Sequence, residues 1–201
     1  MADVSPFPLQ KLGTMYYDDT WNAGNVILEN GDSLIGYFIR FDIISNSLEI
    51  IIKRRFHTIT KNQIRAFDWF SGERLDSEKY VRRDQFNLPK DEYAVDFVEM
   101  LVDGELSLIK TTAVVPRQAS TSPSVVPDNA QGSDMLIIEK YFFVKNDELF
   151  EVSMRKNQNL DFIDNAEVAK YVRDKHVSFS TEGGLKIVAN YYNSVYRDTM
   201  D

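Results

Sequence analysis

One stretch restricts the fold more than any other. Asn25-Val-Ile-Leu-Glu-Asn-Gly-Asp-Ser-Leu-Ile-Gly-Tyr-Phe-Ile-Arg-Phe41 sets Asn30-Gly31 between two apolar runs. A dipeptide tolerant of positive φ at both positions, flanked by hydrophobic segments, predicts a tight β-hairpin. Asp103-Gly104 stands in the same way between residues 93–102 and 105–110, and Lys145-Asn-Asp-Glu148 separates 141–144 from 149–155. In the last of these, Phe150, Val152 and Met154 share one face and Glu151, Ser153 and Arg155 the other, which predicts a strand with one wet side.

The intervening chain fits the same scheme. Leu48-Glu-Ile-Ile-Ile52 is a β-branched run after turn-forming residues at 42–47, so it continues the first hairpin as a meander. Residues 56–60 and 64–70 alternate apolar and polar side chains, as half-buried antiparallel strands do. Ser71-Gly72-Glu73 turns the chain, and the charged segment 73–92 reads as loop with a short strand. Residues 1–20, with Pro6 and Pro8, read as an extended lead-in with one edge strand at most. Between the second and third hairpins, 111–134 carries Pro116, Pro123 and Pro127 among small polar residues and no aromatic, which predicts a disordered loop within one β domain spanning 21–163.

After residue 163 the period changes. Asp164 and Glu167 have capping-box spacing, with Val168, Tyr171 and Val172 on one helical face behind them. A second helix is expected from about Ser180, with Leu185, Val188, Ala189 and Tyr192 in a stripe despite Gly183-Gly184. The two make a helical hairpin over 164–201 whose stripe must bury against the sheet or a partner. The expected fold is thus mainly β (α+β), an antiparallel sandwich or open barrel closed by this hairpin.

Charge and composition exclude several functions. A chain of 201 residues has room for a full core, and 31 acidic against 23 basic side chains leave a net charge of -8 that repels phosphate backbones and anionic lipid. Nucleic acid is not an expected partner. Lys53-Arg54-Arg55 reads as a solvated strand end that blocks edge pairing. With no cysteine there is no disulfide, thiolate metal site or thiol nucleophile. No apolar run reaches the ~20 residues of a membrane-spanning helix, and Met1-Ala-Asp-Val-Ser-Pro lacks the basic and apolar regions of a signal peptide.

No reactive constellation stands out. His57 and His176 lie far apart in sequence, with no metal-ligand spacing, and read as a strand-surface imidazole and a helix-end one. There is no Gly-x-Ser-x-Gly and no phosphate cradle; Gly183-Gly184 lacks a following Lys-Ser/Thr. No catalytic residue, metal site or cofactor is expected. The carboxylates Asp18, Asp19 and Asp68 near Trp21 and Trp69 are the one pattern compatible with a weak hydrolase. Tyr16, Tyr17, Trp21, Trp69 and Phe70 are aromatics close to turns and form the candidate binding surface, with an aromatic core as the competing reading.

In order along the chain, Trp21-x-x-Gly24-x-Val26-x-Leu28-x-Asn30-Gly31, Arg40-Phe-Asp-Ile with Leu48-Glu-Ile, Phe97-Val-Glu-Met-Leu-Val-Asp-Gly-Glu-Leu with Leu108, Tyr141-Phe with Leu149, and Leu185 with Tyr191-Tyr-Asn193 resemble uncharacterised β-rich proteins of the Bacteroidetes. The resemblance implies an exported protein with a cleaved leader, hence periplasm or envelope, and implies no catalytic residues. The expected function is a non-enzymatic binding or structural protein of the bacterial envelope that contacts another protein or a surface polymer. The alternatives are a small-molecule or glycan-binding β barrel, extending to a weak hydrolase that uses carboxylates near Trp21 and Trp69, and a cytoplasmic domain whose helical hairpin docks a partner.

Overall fold

The computed structural model describes residues 15–70, 77–116, 135–152 and 165–198. Ten strands precede two helices: β1 (Asn22–Leu28), β2 (Ser33–Asp42), β3 (Ser47–Ile52), β4 (Arg55–Thr60), β5 (Ile64–Phe70), β6 (Glu78–Arg82), β7 (Phe97–Val102), β8 (Ser107–Pro116), β9 (Met135–Lys145), β10 (Glu148–Val152), α1 (Ala166–Asp174) and α2 (Glu182–Asp198). They form one antiparallel sheet in the order β10-β9-β8-β7-β6-β5-β1-β2-β3-β4. The mainly β architecture with a C-terminal helical pair is the one the periodicity predicts.

Of the two forms expected, the open barrel describes the sheet. β2 and β7 stand four places apart in the strand order, and neighbouring strands lie ~4.8 Å apart, so a flat sheet would hold their side chains about 19 Å from each other. Yet the Phe41 and Phe97 rings are 5.5 Å apart, edge to face. The sheet therefore rolls around its inner face without closing. A hydrogen bond of 2.7 Å from the Asp96 amide to Asn46 Oδ1 and a 2.6 Å ion pair between Lys61 and Asp96 tie the rolled parts together.

The turns redistribute the positive-φ residues. Asn30-Gly31 does not make a two-residue turn with both φ values positive; only Gly31 is left-handed, at φ 90°. Asn30 instead uses its side chain, accepting from the Asp32 amide at 3.0 Å and donating to the Asp32 carboxylate at 2.7 Å, which supports a longer loop from Glu29 to Asp32. Asp103-Gly104 likewise opens a longer connection, with a bulge between Met100 and Val102. The tight turns with two left-handed residues occur at Asn146-Asp147, where a turn is expected, and at Lys53-Arg54, with φ 50° and 63°, between Ile52 and its partner Arg55. Lys53-Arg54-Arg55 is thus a turn leading into β4 and not simply a strand end.

A non-glycine residue in the left-handed region costs roughly 1–2 kcal/mol. Lys53→Asn with Arg54→Gly installs the pair this turn geometry prefers and is expected to raise stability by about 1 kcal/mol or more, read as a higher urea midpoint with unchanged slope. An unchanged or lower midpoint would contradict the turn assignment.

The inner face carries two apolar clusters. One gathers Val26, Ile39, Phe41, Leu48, Phe67, Trp69, Tyr80 and Phe97 inside the roll. The other sandwiches Leu108, Tyr141, Phe143 and Val152 of the sheet against Val168 and Val172 of α1 and Leu185, Val188, Ala189 and Tyr192 of α2. The α2 stripe is buried, Tyr192 being its most exposed member at 5%, so the monomer itself covers the surface that a docking hairpin would present. Asn165, not Asp164, caps α1, accepting from the Glu167 and Val168 amides at 3.0 and 3.2 Å; Asp164 lies outside the described residues. The Tyr171 and Tyr191 rings stack at 3.7 Å and join the helices. Asn193 ties α2 to the β7–β8 connection, accepting from the Leu106 amide at 2.8 Å and donating to the Leu106 carbonyl at 3.1 Å. A Cβ on Gly104 would collide with the Asn193 amide, which explains a glycine there.

The loop expected over 111–134 starts later than expected, since residues 111–116 belong to β8. β8 stays paired with β9 through Pro116 and Met135, because Thr111 to Val115 supply β-branched residues that fill the ladder. Residues 117–134, on which the disorder expectation falls, lie outside the described residues, as do residues 1–14 of the lead-in expected over 1–20. Within the lead-in, Tyr16 makes a short antiparallel bridge to Asp42.

Candidate functional site: a buried ion pair and an uncovered outer face

One row of cross-strand neighbours runs over the inner face: Val26, Phe67, Tyr80, Glu99, Lys110, Tyr141, Val152. It is apolar at both ends and charged in the middle. Glu99 and Lys110 are 4% and 6% exposed, and the Lys110 ammonium lies 2.5 Å from Glu99 Oε2. The pair occupies the seam between the two apolar clusters. Around it the Tyr17 hydroxyl donates to Glu99 at 3.4 Å, while Glu139 and Glu182 approach Lys110 at 3.6 and 3.9 Å. Glu182 opens α2 and also takes Lys186 at 2.8 Å and the Tyr141 hydroxyl at 3.4 Å. One carboxylate oxygen of Glu78 accepts from both the Trp69 indole and the Tyr80 hydroxyl at 3.0 Å.

The electrostatics of this cluster hold its lysine and tyrosine protons in place. Burial disfavours the Lys110 charge, but Glu99 and Tyr17 outweigh it and hold the proton well above the ordinary lysine range. Burial pushes Glu99 up while Lys110 pulls it back. Burial raises Tyr17 and, with Tyr17 and Glu99 beside it, raises Tyr80 further. A lysine kept protonated is no nucleophile, and tyrosines held neutral are no bases. What the arrangement does is fasten α2 to the roll.

The outer face differs between its halves. Over β5 to β9, Ala66, Val81, Val98, Ile109 and Phe142 are buried, with Phe86 and Leu88 from the 83–95 connection packed against them, while Leu136 and Ile138 at the start of β9 are 39% and 42% exposed. Over β1, β2 and β5 nothing described covers the equivalent positions: Ile35 is 65% exposed, Phe38 55%, Phe70 52% and Ile27 39%. Phe38 and Phe70 pair with Ala23 from opposite sides, so the small residue between them leaves a shallow trough. Beside it Phe56, 74% exposed, stacks on Trp21 at 5.5 Å, and the Arg40 guanidinium lies over Tyr16 at 3.7 Å and Trp21 at 4.5 Å. Arg40 is oriented by Glu49 at 2.6 Å.

The five aromatics expected to form one binding surface therefore divide. Trp69 is fully buried and Tyr17 packs against it and Tyr80, so these two belong to the core. The pleat explains this, since Trp69 and Phe70 are adjacent on β5 and must point to opposite faces. Tyr16, Trp21 and Phe70 lie on the outer side, where the structure adds Ile35, Phe38 and Phe56. Two of the three suspected carboxylates are taken locally: Asp18 by Thr20 and Asn22, Asp68 by Asn25 at 2.8 Å. His57 is exposed on β4, and His176 bonds the Arg173 carbonyl at 2.7 Å past the end of α1. Among the described residues no group of three His, Asp or Glu side chains could hold a metal ion, and no helix is long and apolar enough to cross a membrane. A groove of about 440 Å³ lies on the outer side of β8–β9 beneath residues 89–94, lined by Arg83, Tyr93, Ala113, Ile138 and Lys140.

Comparisons of the chain with family models, with curated proteins and with solved structures return no match.

Proposed function

We propose that this chain is a non-enzymatic binding protein that contacts another protein through the outer face of β1, β2 and β5, and, on the sequence resemblance, that it works in the bacterial envelope. The observation that carries this is the unequal covering of one sheet face. Where Phe86 and Leu88 lie over the sheet, its apolar outer residues are buried; over the trough formed by Phe38, Ala23 and Phe70, comparable residues stay in water. Contiguous exposed apolar side chains with flanking aromatics mark contact surfaces. Phe67, Tyr80 and Tyr17 pack directly against Trp69, which weighs against a ligand-filled barrel and against hydrolysis there.

Phe38→Asp with Phe70→Asp puts charges at positions already exposed, so folding is expected to persist. Immobilised native chain should retain a discrete partner from envelope extract, with retention falling at least about tenfold for the double variant, as expected when central apolar anchors are lost. Identical retention by both chains, at matched circular dichroism and melting, would contradict the proposal.

A further inference from the structure

We propose that the outer edge of β4 is a strand-addition site that takes an extended peptide segment bearing carboxylates at one end. This deepens the contact reading of the outer face and rests on it. β4 is the last strand of the sheet, and among the described residues nothing pairs with its outer edge. Alternate residues of such an edge present free N–H and C=O groups, a template that most proteins protect with prolines, bulges or charges inside the strand. Phe56-His-Thr-Ile-Thr60 carries no proline and no fixed charge, and its register with β3 runs without a shift from Arg55 to Thr60; at its far end the Thr60 amide is taken by Gln63 Oε1 at 3.1 Å, so the open part of the edge lies before Thr60. By contrast β10, the other terminal strand, carries Glu148 and Glu151.

The chemistry of the occupant follows from what flanks the edge. Lys53, Arg54 and Arg55 are exposed, and none makes an ion pair with the described residues, in a chain whose net charge is -8. The other outward arginine nearby, Arg40, is neutralised by Glu49. All three stand at the start of β4, and an exposed charge acts over a Debye length of about 8–10 Å. An antiparallel peptide would bring its C-terminal end beside Arg55, so that end should be acidic. Its preceding residues should alternate, placing an apolar side chain on the outer face against Phe56, which is held by Trp21. Backbone pairing supplies affinity in such complexes, and side-chain pockets supply choice.

The test uses the full chain and a fluorescent peptide of about eight residues with alternating Val and Thr and an Asp-Glu-Asp C-terminus. Expected are saturable binding, increased amide-exchange protection confined to β4, weakening with salt, and loss when alternate peptide amides are N-methylated. The Lys53→Asn, Arg54→Gly, Arg55→Gln variant, whose turn favours the fold, should bind about tenfold more weakly, as should a peptide with lysines for its acids. No binding, equal binding by the N-methylated peptide, or binding only of anionic vesicles or single-stranded DNA would overturn the proposal. If the peptide fails while Phe38→Asp with Phe70→Asp still abolishes partner retention, the edge assignment alone falls. If both fail, the contact reading falls with it.

Discussion

Replacing Lys110 with methionine is expected to destabilise the fold by about 3–5 kcal/mol, the usual result of stranding one member of a buried ion pair. Glu99 is 4% exposed and the Lys110 ammonium lies 2.5 Å from its Oε2. Without it the carboxylate would face Glu78 and Glu182, which already act to raise it. The defect should shrink in acid, and the sign can be worked out. In the variant the folded Glu99 binds a proton more tightly than the unfolded chain, whose value is near 4.5, so stability gains as pH falls from neutral toward that value. Glu99→Leu combined with Lys110→Met should regain most of the loss, since well-packed apolar pairs often replace buried ion pairs without penalty. Urea unfolding of the native, single and double variants at neutral and acid pH measures all of this. A Lys110→Met loss below about 1 kcal/mol would mean that the pair is hydrated and contributes as a surface bridge does.

Alkali should unfold the protein over a narrow range. Unfolded tyrosine and lysine lose their protons near 10.0 and 10.5, whereas in the fold Tyr17, Tyr80 and Lys110 all keep theirs to higher pH, and burial, with Glu139 beside it, pushes Tyr141 up to about 12. Above pH 10 the native state thus binds more protons than the unfolded one, and stability falls as pH rises. A group that stays protonated in the fold while it ionises in the unfolded chain adds at most about 1.4 kcal/mol per pH unit to that fall. Tyr80→Phe should make that fall shallower. A stability profile flat to pH 11 would show that these hydroxyls reach water.

How much of this was readable in the chain depended on whether the information was local. The strands at 56–60 and 64–70, the short strand within 73–92 and both helices follow from period and turn residues, and they occur where expected. The turn types were less legible. Asn30 spends its side chain on Asp32 in place of adopting positive φ, while Lys53-Arg54, with no turn-forming composition, is forced left-handed by the register of Ile52 against Arg55. The binding aromatics depended on facing. Alternation along β5 separates Trp69 from Phe70, but which of them faces inward is decided by the roll of the sheet, a long-range property that brings Phe41 to Phe97. The Glu99–Lys110 pair was invisible for the same reason. One signal was available: Lys110 continues an apolar run on β8 at an inward position, where a charge demands a partner across the ladder. Phe38 and Phe56 could have been found by asking which alternating strand positions place aromatics on the polar face.

The central claim, that the bare outer face over β1, β2 and β5 is covered by a protein in the cell, is tested most directly by photo-crosslinking. A benzophenone amino acid at position 38, and at position 187 on the exposed side of α2 as control, would be activated in intact cells. The expected result is a discrete adduct from position 38 that disappears when Phe70→Asp is added, with none from position 187. Equal, diffuse labelling from both positions would contradict it.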